Sequence, residues 1–164
     1  MKQLKGKVLK FGDNINTDVI VPSEYLTSDN PNEIIQHAFE DIFPNFAKKV
    51  KKGDIIVAGK NFGSGSSREE AVFVIKELGI SAVICRSFSR IYFRNLINQG
   101  IPAITLQDGI TEFESGDELI VDINLGSIEN TTKNKHFKFT PIPEFIVDIL
   151  NSGGALNHIK SRFT

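Results

Sequence analysis

The hydrophobic pattern is clearest in the middle of the chain. Three short apolar runs rich in β-branched residues, bounded by glycine or polar positions, are typical of buried strands; they span residues 54–59, 81–85 and 101–106. Between them, apolar residues at helical spacing predict two amphipathic helices that end at Gly79 and Gly100. Their apolar positions are Ala71, Val74, Ile75 and Leu78 in the first helix and Phe88, Ile91, Tyr92 and Leu96 in the second. This alternation predicts right-handed crossovers and parallel strands, hence an α/β fold.

The two flanking regions carry weaker patterns. A first strand is predicted over residues 5–11, ended by the turn Gly12-Asp13-Asn14, and Pro31 opens a predicted helix over 32–39. Near the C-terminus, runs at 119–123 and 136–139 predict two strands paired as a hairpin, with a polar loop at 129–135. Two further helices are predicted over 144–150 and 155–162. With no linker and no internal repeat, residues 1–164 are predicted to form a single domain.

Composition narrows the class of protein. Apolar residues make up 40% of the chain and charged residues 24%, which is average for soluble globular proteins and excludes disordered and fibrous classes. Nineteen basic and twenty acidic residues leave no excess charge for nucleic acid or an anionic membrane, and the one dense basic run, residues 48–52, is interpreted as a solvated turn. No segment has the length and hydropathy of a membrane span or a signal peptide, so we expect a cytoplasmic protein.

Metal chemistry within the chain is not expected. Cys85 is the only cysteine, so the chain can form neither an intrachain disulfide nor a cysteine-ligated iron–sulfur cluster, and its place in an apolar run predicts a buried thiol. The three histidines stand far apart, without the spacing of zinc ligands.

The segment 61–69, Asn-Phe-Gly-Ser-Gly-Ser-Ser-Arg-Glu, joins a predicted strand to a predicted helix. Free amides in the first turn of a helix favour an anion, and glycine lets the backbone approach a ligand closely. Two alternatives stay open: the serines have the spacing of a helix capping box with Glu69 and Glu70, and Arg68 could form an ion pair with either glutamate instead of a ligand.

Three familiar motifs do not fit this segment. A phosphate-binding P-loop needs a lysine after its second glycine, where this chain has Ser66. A dinucleotide fingerprint needs a third glycine, where it has Arg68. A nucleophile elbow needs glycines two residues on either side of a serine, and no serine here has them. Nucleotide binding and acyl transfer are therefore disfavoured.

The segment 61–69 closely resembles the signature of the mobile swivel domain of the aconitase superfamily. Two more blocks support the resemblance: residues 12–18 with Ile20, Pro22 and Tyr25-Leu26 look like the N-terminal motif of isopropylmalate dehydratase small subunits, and residues 87–95 with 100–102 look like their third block. The blocks occur in the family's order and cover about residues 6 to 106. The resemblance implies a swivelling β/β/α domain, with a parallel-rich sheet or barrel flanked by helices.

The resemblance also implies a function. Members of this family act in a hydro-lyase that interconverts 2-isopropylmalate and 3-isopropylmalate through an alkene in leucine biosynthesis. The family's catalytic base falls on Ser66, while Ser67 and Arg68, with Gly65 beside them, would hold substrate carboxylates. A large partner subunit would carry the [4Fe–4S] cluster, whose open iron acts as a Lewis acid toward the departing hydroxyl. The single cysteine of this chain agrees with that division.

Substrate choice in the family depends on the loop that follows the Tyr-Leu pair. The resemblance places Tyr25, Leu26, Thr27 and Ser28 at the substrate. Homoaconitase-like members have arginine where this chain has Thr27, so a tricarboxylic substrate is disfavoured. The polar Thr27-Ser28 pair keeps dehydratases acting on citraconate, methylmalate or dimethylmalate open as alternatives.

Other roles stay open as well. Thr17 and Asp18 either line the same site or stabilise a turn, and Arg90 and Arg94 have structural roles or bind a carboxylate or the partner. Two alternatives from other classes are a non-catalytic carboxylate-binding module and a purely structural assembly subunit.

Overall fold

The structure, a computed structural model, describes residues 3–164. Within them the strands are β1 (Leu4–Lys10), β2 (Ile55–Ala58), β3 (Ala82–Cys85), β4 (Ala103–Thr105), β5 (Glu118–Asp122), β6 (Ser127–Asn130) and β7 (Lys135–Lys138). The helices are α1 (Thr17–Ile20), α2 (Pro31–Gln36), α3 (Phe46–Lys49), α4 (Glu70–Glu77), α5 (Arg90–Asn98), α6 (Glu144–Asn151) and α7 (Ala155–Arg162). Short 3₁₀ turns lie at Ser23–Tyr25 and Ile110–Glu112.

The strands form one mixed sheet in the order β4-β3-β2-β1-β5-β6-β7. β1 is the strand where its two halves meet, because it pairs parallel with β2 and antiparallel with β5. The parallel half, β1 to β4, is built by the β2-α4-β3-α5-β4 crossovers that the hydrophobic pattern predicts. The predicted α/β fold with a parallel-rich sheet and flanking helices is confirmed.

The core lies on both faces of the parallel half. In β2, Ile56 and Ala58 pack with residues of the helices, whereas Ile55 and Val57 share the other face with Val121 of β5 and its neighbours. The antiparallel half therefore curls over the second face of the sheet. Because both faces are covered, every side chain of β2 and β3 is buried, and this is why these strands are continuous apolar runs in the sequence.

The long connection from β1 to β2 packs on the sheet through aromatic rings. Phe39 lies with its ring centroid 4.8 Å from that of Phe11 and 4.7 Å from that of Phe46. The predicted helix at 32–39 is shorter than expected, since α2 ends at Gln36 and Phe39 has a left-handed backbone with φ of 58°. Phe39 N also donates to Ile20 O at 3.0 Å, which joins this aromatic cluster to the end of α1, near the candidate site.

The predicted C-terminal hairpin is wrong in its pairing. β6 lies between β5 and β7, in part of the segment that the sequence assigned to a loop. Its inward-facing positions are Ile128 and Asn130, and the fully buried Asn130 is satisfied by donating from Nδ2 to Asp117, with 2.8 Å between the two atoms. A buried asparagine at an inward position hides the alternation by which a strand is recognised.

The largest helix in residues 3–164 has nine residues, and none of the helices in this range is long and apolar enough to cross a bilayer.

Candidate active site

Three chain connections meet at the edge of the sheet where β1, β2 and β3 end. The connection after β1 runs alongside the one after β2: Asn14 N donates to Lys60 O at 2.7 Å, Gly63 N to Ile15 O at 2.7 Å, and Thr17 N to Ser64 O at 2.9 Å. This arrangement brings the glycine–serine turn together with Thr17 and Asp18. The carboxyl ends of parallel strands are the usual place for ligands in open α/β sheets.

The connection after β3 supports the turn from the other side. Phe62 N donates to Ser87 O at 3.1 Å, and Ser89 N donates to Phe62 O at 2.9 Å. The hydroxyl of Ser87 accepts a further hydrogen bond from Asn61 N at 2.9 Å. The segment 61–64 is therefore fixed by hydrogen bonds on both sides, as a central strand would be.

Gly63 is required by the close approach of Tyr92. Its φ is 79°, and a Cβ added there would lie 2.1 Å from Cγ of the Tyr92 ring. The buried Tyr92 hydroxyl donates to Ala71 O at 2.7 Å, so this side chain joins the turn to the first residues of α4. Burial raises the pKa of Tyr92 well above its ordinary value, which keeps the hydroxyl protonated and able to donate.

Thr17 fixes the backbone at Ser66. Its side chain is buried, and its hydroxyl donates to Ser66 O at 2.7 Å. Gly65, with φ of 93°, turns the chain just before this contact. The hydroxyls of Ser66 and Ser67 remain exposed and make no hydrogen bond within residues 3–164. The turn thus has a fixed backbone and two free hydroxyls.

The helix-capping interpretation of the serines is wrong. α4 begins at Glu70 with Glu69 as its N-cap, and no side chain caps it. Because the helix begins later than the sequence suggests, Ser66 and Ser67 precede it and do not bond its amides. Ala71 N and Val72 N donate to Arg68 O and Glu69 O, so of the amides that begin the helix only those of Glu69 and Glu70 have no acceptor within residues 3–164 and stay available to a ligand.

Arg68 also differs from the sequence-based expectation. It lies before the N-cap and not in the first helical turn, and its partner is neither Glu69 nor Glu70. Its Nη2 lies 2.5 Å from Oδ1 of Asp18, and its Nη1 donates to Val21 O at 3.2 Å. The Arg68 side chain is 16% exposed, against 63% for Asp18, so the guanidinium is held beside the turn by a carboxylate that faces solvent.

The segment from Tyr25 to Ser28 lies further along the same connection. Tyr25 stacks on His37 with ring centroids 3.8 Å apart, and Leu26 packs against the core. Thr27 is exposed, while the Ser28 hydroxyl donates to Glu33. No hydrogen bond joins these four residues to Ser66, Ser67 or Arg68 in the described chain; the nearest link is the Arg68 contact with Val21.

Asn14, Asn16 and Asn61 occur in the motifs recognised in the sequence, but their hydrogen bonds and backbone geometry are not predicted there. Asn14 and Asn61 both have left-handed backbones, with φ of 58° and 59°, and Nδ2 of Asn61 donates to Oδ1 of Asn14 at 3.0 Å. Asn16 caps α1 by accepting from Val19 N at 3.0 Å. Asparagine tolerates the left-handed region better than most residues, and its recurrence beside both turns is the signal that could have revealed them.

The described residues hold no group of three or more histidine, cysteine or acidic side chains placed to bind a metal. Cys85 is fully buried in β3, and burial raises the pKa of its thiol well above the ordinary value. The side chains at this edge can offer hydroxyls and a guanidinium to an acid, but they do not fit an iron–sulfur cluster.

Comparisons with known proteins agree with this geometry. A family model described as the aconitase C-terminal domain matches residues 5–109. The chain is 52% identical to a 3-isopropylmalate dehydratase small subunit from Halothermothrix orenii, over 96% of each chain. It is 49% identical to the small subunit 1 from Thermotoga maritima, over 97% of this chain and 96% of that one. A crystal structure of a 3-isopropylmalate dehydratase from Methanocaldococcus jannaschii superposes with a TM-score of 0.91 and 44% identity, covering 99% of this chain and 96% of that chain.

A curled mixed sheet with a serine–serine–arginine turn at its parallel edge defines a swivel domain of the aconitase type, and the chain belongs to the aconitase C-terminal domain family. Within that family it belongs to the 3-isopropylmalate dehydratase small subunits. The resemblance found in the sequence is thereby confirmed. The names of these relatives imply a large-subunit partner.

Proposed function

We propose that this chain is the small subunit of a cytoplasmic 3-isopropylmalate dehydratase, and that Ser66 is the base that removes the substrate proton. The enzyme would interconvert 2-isopropylmalate and 3-isopropylmalate by dehydration and rehydration in leucine biosynthesis. The supporting observation is the pair of exposed, unbonded serine hydroxyls on a backbone fixed by Thr17 and beside Arg68. The large subunit would carry the [4Fe–4S] cluster. Such a cluster needs several cysteine ligands, and this chain has a single cysteine, which is buried.

The proposed base depends on positive potential. A serine hydroxyl is far too weak an acid to lose its proton at neutral pH without help. Two sources of help follow Ser66 along the chain: the guanidinium of Arg68, and the amides of Glu69 and Glu70, which have no acceptor among the described residues. Both would also stabilise the negative charge that builds up when a proton leaves the carbon next to a carboxylate.

Ser67 and Arg68 are proposed to bind the substrate carboxylates. A guanidinium offers two parallel donors to a carboxylate, and in the chain alone one of its ends already contacts Asp18. The guanidinium has five N–H donors, so those that contact neither Asp18 nor Val21 O can bind a substrate carboxylate while Asp18 stays in contact. Asp18 and Thr17 then act mainly by holding the turn and its arginine in place.

The substrate side chain is proposed to contact Tyr25, Leu26, Thr27 and Ser28. Thr27 is exposed and has no charge, so this loop provides no partner for a third carboxylate. The half-buried Tyr25 and Leu26 are the apolar members of this set, and they are proposed to contact the isopropyl group. None of the comparisons favours the citraconate, methylmalate, dimethylmalate or homoaconitate alternatives.

The test is turnover by the enzyme reconstituted with its large subunit. We expect Ser66→Ala to lower kcat by roughly 10²- to 10⁴-fold with KM little changed, which is the loss typical of removing a general base. Arg68→Lys should instead raise KM, because lysine cannot hold a carboxylate with two donors. Ser161→Ala, which changes an exposed serine on α7, is the matched control and should leave both constants unchanged.

Two outcomes would contradict the proposal. Full turnover by the assembled Ser66→Ala enzyme would leave the chain only a structural role. Tight binding of isopropylmalate to the chain alone, measured by calorimetry, would favour a free-standing carboxylate-binding module.

A further inference from the structure

A groove of about 620 Å³ lies beside the candidate active site, between α5, α6 and the end of β3. Its floor is apolar and includes Phe93, Ile146 and Ile149. Its rim carries three arginines, Arg86, Arg90 and Arg94. We call this surface the arginine groove.

The three arginines lack internal partners. All are exposed, and none takes part in an ion pair among residues 3–164, although Arg68, Lys133 and Lys135 do. Arg90 is the first residue of α5, which has no acidic residue in its first turn and no side-chain cap. A cation at the positive end of a helix is unfavourable unless an anion comes near, so the folded chain concentrates positive charge there without neutralising it.

Apolar groups are exposed beside these charges. The Phe145 side chain lines the groove and is 66% exposed, and Ile91, next to Arg90 on α5, is 56% exposed. Phenylalanine and arginine are enriched in protein interfaces, where an apolar anchor and a charged rim occur together. Water is an unfavourable neighbour for such a large ring, so a partner that covers Phe145 gains free energy.

The arginine groove is continuous with the candidate active site. Arg86, Ser87 and Phe88 line it, and they belong to the same connection that bonds Asn61 and Phe62. The Phe62 and Phe88 rings are 6.2 Å apart in an edge-to-face contact. The connection after β3 therefore belongs to both surfaces: it lines the groove and it supports the turn that carries Ser66 and Ser67.

We propose that the large subunit docks in the arginine groove with an acidic segment that carries at least one apolar side chain. Carboxylates of that segment pair with Arg90 and Arg94, while its apolar side chain covers Phe145 and the groove floor. This inference rests on the proposed function, since it needs a large subunit. A small anion is a poorer occupant, because all three arginines are exposed to water and small-ligand sites bury most of the ligand surface.

The experiment measures the association of this chain with its large subunit by calorimetry at two salt concentrations. We expect Arg90→Glu/Arg94→Glu to weaken binding by roughly 10- to 100-fold or more, and to remove most of the salt dependence that wild type shows. Phe145→Ser should weaken binding without changing the salt dependence. Thermal unfolding of each variant checks that it folds as wild type does.

The matched control is Lys48→Glu/Lys51→Glu. It makes the same change in net charge on two exposed lysines that precede β2, at the opposite edge of the sheet. If this variant binds the large subunit about as tightly as wild type does, the loss in Arg90→Glu/Arg94→Glu comes from the position of the arginines and not from the change in net charge.

The outcomes separate the two proposals. If wild type fails to bind the large subunit, the proposed function itself is overturned. If wild type binds and Arg90→Glu/Arg94→Glu binds equally well, only the docking proposal is overturned. The docking proposal is also overturned if sedimentation shows that the arginine variant instead abolishes self-association of this chain, or if millimolar malate alone saturates the arginines and leaves subunit affinity unchanged.

Discussion

The two halves of the sheet are built differently and carry different parts of the protein. In the parallel half, β2 and β3 are buried on both faces, and the free hydroxyls and Arg68 lie on the connection between these two strands. In the antiparallel half, β5 alternates buried and less buried positions, and the polar residues Asp117 and Asn130 bond to each other. In a parallel sheet, the connections that follow the strands all begin at the same edge, so several of them meet there. In a hairpin, a short turn leads directly to the neighbouring strand. The difference explains why the candidate site lies at one edge of the parallel half, while the antiparallel half covers the core.

The largest difference between the two halves is expected when the turn at Gly63 is altered. Gly63→Ala would place a Cβ against the Tyr92 ring on a backbone with φ of 79°, so both overpacking and strain oppose folding. We expect a loss of roughly 3 kcal/mol or more in the free energy of unfolding, together with loss of turnover. Denaturant unfolding of the chain and assays of the reconstituted enzyme measure the two effects.

Gly116, in the turn before β5, is the control in the antiparallel half. Its φ is 93°, but a Cβ there would meet nothing within 4 Å. Gly116→Ala should therefore lower the free energy of unfolding only by the strain of a left-handed backbone, about 1 kcal/mol, and leave kcat unchanged. Equal losses for both variants would show that the contact with Tyr92 is unimportant.

The antiparallel half should be separable from catalysis at Asp117. Burial alone would raise the pKa of this carboxyl, but hydrogen bonds from Glu114 N and Asn130 Nδ2 and the charge of Lys133 lower it below the ordinary value. Because the pKa of Asp117 is lower in the folded chain than in the unfolded chain, its carboxylate stabilises the fold at pH values above the unfolded pKa. This stability is lost as the pH falls through the pKa of the folded chain.

Asp117→Asn removes that charge and one of its good acceptors. We expect the free energy of unfolding at pH 7 to fall by roughly 1–3 kcal/mol, and its decline between pH 5 and pH 2 to become shallower than in wild type. Turnover of the assembled enzyme should not change. Urea unfolding at several pH values measures the effect, and a pH profile identical to that of wild type would contradict the assigned role.

The parallel half is also the part that the sequence describes best. β2, β3 and β4 are predicted because both faces are covered and apolar residues follow one another. β6 is missed because the buried Asn130 replaces an apolar residue. The short helices α1 and α3 have four residues each, too few for a helical period to be visible.

The site is predicted only in part, for a related reason. The turn at 61–69 is recognisable because its residues are consecutive. The Arg68 contact with Asp18 joins residues fifty positions apart, and it depends on the fold to bring two connections together. The same holds for Thr17, whose hydroxyl bonds Ser66 from the connection after β1.

A smaller effect is expected from Thr17→Val, which keeps the shape of the side chain but removes its hydroxyl. Ser66 O would lose its hydrogen bond, at a cost of about 1 kcal/mol. Turnover should fall further than stability suggests, roughly 10- to 100-fold, because the serine is no longer held in place. Thr131→Val, which removes an exposed hydroxyl bonded to Glu118 O, is the matched change in the antiparallel half and should alter neither quantity measurably.

The smallest effect on stability is expected from Asp18→Asn. Its carboxylate is mostly exposed, so the ion pair with Arg68 should contribute at most about 1 kcal/mol. KM should nevertheless rise several-fold, since Arg68 loses the contact that orients it. Asp41→Asn, at an exposed position without an ion pair among the described residues, is the control. An unchanged KM in Asp18→Asn would remove Asp18 from the site.

We propose that Ser66 removes the substrate proton, and a single-turnover experiment is the most direct test of this role. Reconstituted enzyme in excess over 3-isopropylmalate forms the alkene, whose ultraviolet absorbance reports the dehydration step without product release. If Ser66 is the base, Ser66→Ala should bind the substrate as wild type does but form the alkene roughly 10² or more times slower. Alkene formation at the wild-type rate in that variant would show that another group is the base.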